Sequence, residues 1–99
     1  MMVVLSDQEI AEALKDLPGW RHERGEIFKQ YRFPGFLDAI AFIDRLAEEA
    51  EAANHHPDLE NHYNRVRVAL HTWSASGITR KDIDLAHRIE AVAQPPAGV

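Results

Sequence analysis

Cysteine is absent, which excludes disulfides, thiol nucleophiles and thiolate metal ligands. No apolar run is long enough to span a bilayer and no signal peptide opens the chain, so a soluble cytoplasmic domain is expected. Basic charge is scarce. Eleven lysines and arginines face sixteen acids for a net charge of -5, which argues against nucleic-acid binding through a basic face. No serine sits in a nucleophile elbow, so hydrolase chemistry lacks support. There is neither an HExxH helix nor a cysteine pair, and adjacent histidines seldom reach one ion. A zinc site from His55, His56 and His62 is therefore disfavoured, and no metal is expected. Ninety-nine residues allow a single core. Residues 1–94 are expected to form one domain, with 95–99 as a disordered tail.

What is present concentrates in the stretch from Glu51 to Asp82. It opens as a helix end and then presents His55-His56-Pro57. A residue before proline is pushed out of the helical region, so the helix should stop near His56. Both imidazoles then stand at an element boundary, where side chains can converge on a cleft. Imidazole is the side chain whose ordinary titration suits proton transfer near neutrality. Taken alone, two surface histidines at a helix end explain the motif equally well. Glu51 lies one turn before His55, where an i,i+4 contact can orient or charge that ring.

Around this stretch the elements follow from local rules. Ser6 with Glu9 makes a capping box, Leu5 and Ile10 a hydrophobic staple, and Ile10, Ala13, Leu14 and Leu17 an apolar face. Residues 22–26 read as a hairpin connection with Gly25 free to take positive φ. The strand 27–33 carries aromatics on both faces, which leaves its buried side open. A helix over 36–54 shows an apolar stripe of Phe36, Ala39, Ile40, Ile43, Leu46, Ala47, Ala50 and Ala53. After an extended piece over 58–63, the strand 65–73 alternates clearly. Val66, Val68, Leu70 and Thr72 point one way, and Arg65, Arg67, Ala69, His71 and Trp73 the other. Residues 74–77 form a loop, and Thr79 with Asp82 caps a last helix whose face includes Ile83, Ala86, Ile89 and Ala93. The order helix, hairpin, helix, hairpin, helix predicts an α+β two-layer sandwich: a four-stranded antiparallel sheet with three helices on one face.

Glu51-x-x-x-His55-His56-Pro57, then Tyr63-Asn64-Arg65-Val66, then Gly77-Ile78-Thr79-x-x-Asp82 together resemble the pterin-4a-carbinolamine dehydratase family. The similarity extends through Ile27-Phe28-Lys29, Phe33 and the Phe36 helix, so it covers most of the chain. It implies the same α+β fold and a homodimer or homotetramer. It also implies dehydration of a 4a-hydroxytetrahydropterin to the quinonoid dihydropterin, which recycles pterin after aromatic amino-acid hydroxylation. No cofactor is implied, and the small-molecule pterin is the expected partner, with no nucleic acid or membrane. By motif position His55 and His56 are the catalytic pair, and Glu51, Pro57, Thr72, Trp73 and Asp82 surround the substrate. Asp82 serves equally as a capping acid.

Two positions depart from the family pattern. A third active-site histidine usually ends the fourth strand, and Trp73 stands there instead; indole cannot exchange a proton near neutral pH. Asn54 replaces the aspartate that relatives often carry before the paired histidines. Strand geometry adds His71 to the candidate substrate-binding residues. Two residues from Trp73 on one strand, it should leave the same face roughly 7 Å away and could take over the missing histidine's work. The alternative to an enzyme is a non-catalytic dehydratase-like binding or assembly module. Trp73 favours that reading and the intact His55-His56 pair favours the enzyme.

Overall fold

A computed structural model describes residues 3–93; the tail expected over 95–99 lies outside them. The elements run α1 (Asp7–Leu14), β1 (Arg21–Glu23), β2 (Glu26–Arg32), α2 (Phe36–Ala53), β3 (Asp58–His62), β4 (Arg65–Leu70) and α3 (Arg80–Ala93). The strands form one antiparallel sheet in the order β1-β2-β4-β3, so the two hairpins meet through β2 and β4. Three helices and a four-stranded antiparallel sheet make the expected α+β sandwich. Its core lies between the helices and the sheet face carrying Ile27, Tyr31, Val66, Val68 and Leu70. No helix among the described residues is long and apolar enough to cross a membrane.

Local chemistry accounts for most element ends. Ser6 Oγ accepts from Glu9 N–H at 3.1 Å and Glu9 Oε1 from Ser6 N–H at 2.8 Å, the reciprocal bonds of a capping box. That bond from the Ser6 backbone holds the Glu9 carboxyl below its ordinary value. Beyond Leu14 the chain closes in turn-type bonds that keep Leu17 buried with Ile10. In the β1–β2 connection Arg24 and Gly25 both take positive φ, as a tight two-residue hairpin needs.

Pairing between β2 and β4 resolves the face of β2 that the sequence leaves open. Ile27 and Tyr31 turn toward the helices, while Phe28 turns outward beneath the Arg67 guanidinium, 4.6 Å from its ring centroid. The stripe on α2 needs correction. Its buried line is Ala39, Phe42, Leu46 and Ala50, whereas Phe36 and Ala47 are exposed. Both lines obey three- and four-residue steps, so spacing cannot choose between them. Tyr31 and Phe33 choose, packing on Phe42 at 4.8 and 5.0 Å between ring centroids.

A second correction concerns the strand expected over 65–73, which stops at Leu70. Opposite that point β3 begins at Asp58, just after Pro57, which has no N–H to extend the ladder. The chain then makes a single bridge between Thr72 and Gly77 around a 3-10 turn, Trp73–Ala75. The inward alternation survives the break: Val66, Val68, Leu70 and Thr72 are all buried.

Candidate active site

The site forms where the end of α2, the segment after β4 and the start of α3 meet. Helix α2 ends on a left-handed Asn54 (φ 49, ψ 43). Asn54 N–H donates to Glu51 O and His55 N–H to Ala50 O, both at 3.1 Å, which is the bonding pattern of a Schellman motif. Asparagine is among the few residues other than glycine that tolerate this conformation, so Asn54 stops the helix before Pro57 acts. The reversal sends the two histidines in different directions.

The Glu51–His55 contact expected from helical spacing does not form. Glu51 instead hydrogen-bonds His56 Nε2, five residues on, in an exposed pair. His55 crosses to α3, where its Nε2 lies 2.6 Å from Asp82 Oδ1. Its side chain is 11% exposed and that of Asp82 is 0% exposed. A buried carboxylate needs donors, and Asp82 has them. Its Oδ2 accepts from the Thr72 hydroxyl at 2.6 Å and from Thr79 N–H at 2.9 Å. Thr79 Oγ1 sits 2.9 Å from Thr72 Oγ1 and accepts from Lys81 N–H at 3.3 Å. One residue therefore caps α3 and also orients a histidine. With Asp82 Oδ1 as the acceptor, His55 Nε2 carries the hydrogen and Nδ1 is left for other partners.

A cleft of about 320 Å³ opens here, lined by His55, His56, His71, Thr72 and Trp73, together with Asn54, Ser74 and Lys81. Five of the eight residues singled out from the sequence thus meet on one surface. Asp82 lies behind His55, Glu51 beyond His56, and Pro57 outside the lining. His71 and Trp73 do not leave a continuous strand as expected. With β4 already ended, their rings meet edge to face at 4.8 Å between centroids. The Trp73 side stands in the open, 79% exposed, while His71 Nδ1 is buried without a hydrogen-bond partner. Ser74 and Lys81 went unforeseen. Lys81 occupies an unassigned place inside the Thr79-x-x-Asp82 motif, and Ser74 reaches the cleft only because the chain coils after Thr72. A larger hollow, about 580 Å³, lies between α1 and α3 and contains none of the predicted residues. The smaller cleft is the candidate site because the buried histidine–carboxylate pair borders it.

Residues 3–92 match the family described as "Pterin 4 alpha carbinolamine dehydratase". A protein of Acidobacterium capsulatum is 46% identical over 91 residues, covering 92% of this chain and 99% of its own. One of Chloroflexus aurantiacus is 49% identical over 88 residues, covering 89% and 95%. Both carry the name "Putative pterin-4-alpha-carbinolamine dehydratase". Among solved structures, a transcriptional coactivator/pterin dehydratase from Brucella melitensis superposes with a TM-score of 0.89 at 38% identity, covering 93% of this chain and 100% of that one. A pterin dehydratase-like protein described as a RuBisCO assembly factor in the alpha-carboxysome shares the fold, with a TM-score of 0.66 at 24% identity over 78% of this chain and 92% of that one.

Proposed function

The chain belongs to the pterin-4a-carbinolamine dehydratase family, and from that membership and the chemistry of the cleft we propose that it dehydrates 4a-hydroxytetrahydropterin to quinonoid dihydropterin. In this reaction the bond from C4a to the hydroxyl breaks and the oxygen departs with a proton as water. A ring-nitrogen proton is lost and its electron pair forms the new C=N bond. The balance is one water lost and no change in oxidation level, so the protein has to supply an acid and a base.

The observation that carries the reading is the His55–Asp82 pair beside His56 on one cleft wall. Asp82 is the positioning residue: it fixes the His55 tautomer and leaves Nδ1 to exchange protons with the pterin. His56, tethered by Glu51 at the rim, orients the ring and shares the proton work. Such general acid–base assistance is typically worth about 10²–10⁴ in rate. Thr72 and Trp73 supply the remaining contacts, the indole as a face on which the pterin stacks.

The test is a dehydration assay with 4a-hydroxytetrahydropterin. His55→Ala should lower turnover by about 10²-fold or more while the protein stays folded. His56→Ala should weaken substrate binding as well as rate. Wild-type turnover in both variants would reject the site. A second reading, a non-catalytic binding or assembly module, is favoured by the exposed Trp73 where a proton-exchanging residue is expected. A fold relative is itself described as an assembly factor. Folded wild-type protein that fails to turn over the carbinolamine would select this reading.

A further inference from the structure

A second hollow of about 180 Å³ opens beside the cleft, lined by Ala53, His55, Lys81, Asp84, Leu85 and Arg88. The two hollows share His55 and Lys81 in their walls. A ligand seated against His55 meets Lys81 as it extends from one toward the other.

Lys81 is an odd choice for the fold alone. It is exposed at the second position of α3, where a cation faces the positive end of the helix dipole. Its ammonium group has no acidic partner among the described residues. Two turns on, Arg88 brings a second cation to the same hollow, 3.5 Å from Glu49. Asp84, the acid in the lining, lies 3.7 Å from Arg80. Asp84 and Glu49 each have an arginine partner and Asp82 lies buried behind His55 with its own donors, so Lys81 is the cation at the hollow without a carboxylate partner among the described residues.

We propose that this second hollow is a subsite for a phosphate ester on the pterin side chain, held by Lys81 with Arg88 as the second cation. The proposal rests on the cleft being a pterin site, and it names the substrate class: pterins with a phosphorylated substituent rather than a neutral polyol. Lysine and arginine together suit phosphate, the one as a point charge and the other as a fork of donors.

Fluorescence titration tests this with two stable probes, 6-(trihydroxypropyl)-7,8-dihydropterin and its terminal monophosphate. The wild type should bind the monophosphate more tightly, and added salt should shrink the difference. Lys81→Ala should weaken the monophosphate about three- to tenfold more than the neutral probe, between an exposed ion pair and a charge-assisted hydrogen bond, and Arg88→Ala, which lies outside the pterin cleft, should weaken the monophosphate and leave the neutral probe unchanged. Lys81→Arg should keep the preference. Equal binding of the two probes to the wild type, or an equal loss for both in Lys81→Ala, overturns the subsite while the pterin cleft stands. If the neutral probe does not bind at all, the pterin reading itself falls, and the subsite with it.

Discussion

At the scale of single residues, the site depends on acceptors and donors that have little freedom to exchange roles. Asp82 has no solvent contact and accepts from His55, Thr72 and Thr79. Asp82→Asn puts an amide where one of these acceptors was. If Oδ1 keeps Thr72 and Thr79, the amide N–H₂ faces His55 Nε2 and forces the other tautomer. Turnover should fall about 10²-fold or more, with a changed pH–rate profile, while circular dichroism reports an intact fold. An unchanged profile would separate Asp82 from the proton chemistry. His71 offers a different test, because its buried Nδ1 is unpartnered beside Trp73. If it replaces the family's third histidine, His71→Ala lowers turnover substantially and Trp73→His in that background partly restores it. The same rate with and without His71 would make it a strand-end residue only, leaving His55 and His56 as the working pair.

Between elements, a second polar cluster ties β2 and the segment before β1 to α3. Glu90 Oε1 accepts from Lys29 Nζ and Tyr31 OH, each at 2.5 Å, and from Trp20 Nε1 at 3.0 Å. Burial pushes the Glu90 carboxyl up, but the bonds from Lys29, Tyr31 and Trp20 and the charge of Lys29 outweigh it, so it titrates below its ordinary 4.5. Burial and the Glu90 carboxylate push the Tyr31 phenol up, keeping it a donor. A depressed carboxyl stabilises the fold above its unfolded value, and that stability is lost as pH falls through the folded value. Glu90→Gln should therefore cost about 1–2 kcal/mol in urea denaturation at pH 7. The gap to wild type should narrow as the pH drops below 4.5. A gap independent of pH would mean that packing, not charge, makes the cluster matter.

For the whole molecule, what stands out is the surface the helices do not cover. β1 and β3 are sheet edges, and an uncovered edge is a template for pairing. Leu59 on β3 is exposed, as are Phe36, Leu37 and Tyr63. Like chains are the simplest cover for such features, so we expect a dimer or tetramer in solution. Light scattering at micromolar concentration should report a multiple of 11.2 kDa, and a species of only that mass would rule out self-association.

What the sequence by itself determined is what short-range physics decides. The capping box at Ser6, the Asp82 side chain capping Thr79 N–H, alternation through Thr72 and the end of a helix near His55 depend on neighbours a few residues apart. The α+β layering followed from the order of those pieces. The motif also singled out four residues that line the cleft, and strand spacing added His71. The tertiary structure decided what depends on partners far along the chain. Equal spacing permits two apolar lines on α2, and only the Tyr31 and Phe33 rings on the sheet select the one through Phe42. Helical spacing offered Glu51 to His55, but the left-handed Asn54 sends His55 to an acid 27 residues away. Strand spacing put His71 and Trp73 apart on one face, yet the ladder runs out at Leu70 and the following turn folds one ring against the other. Local rules state which contacts a segment can make; which of them it makes is decided by whatever packs against it.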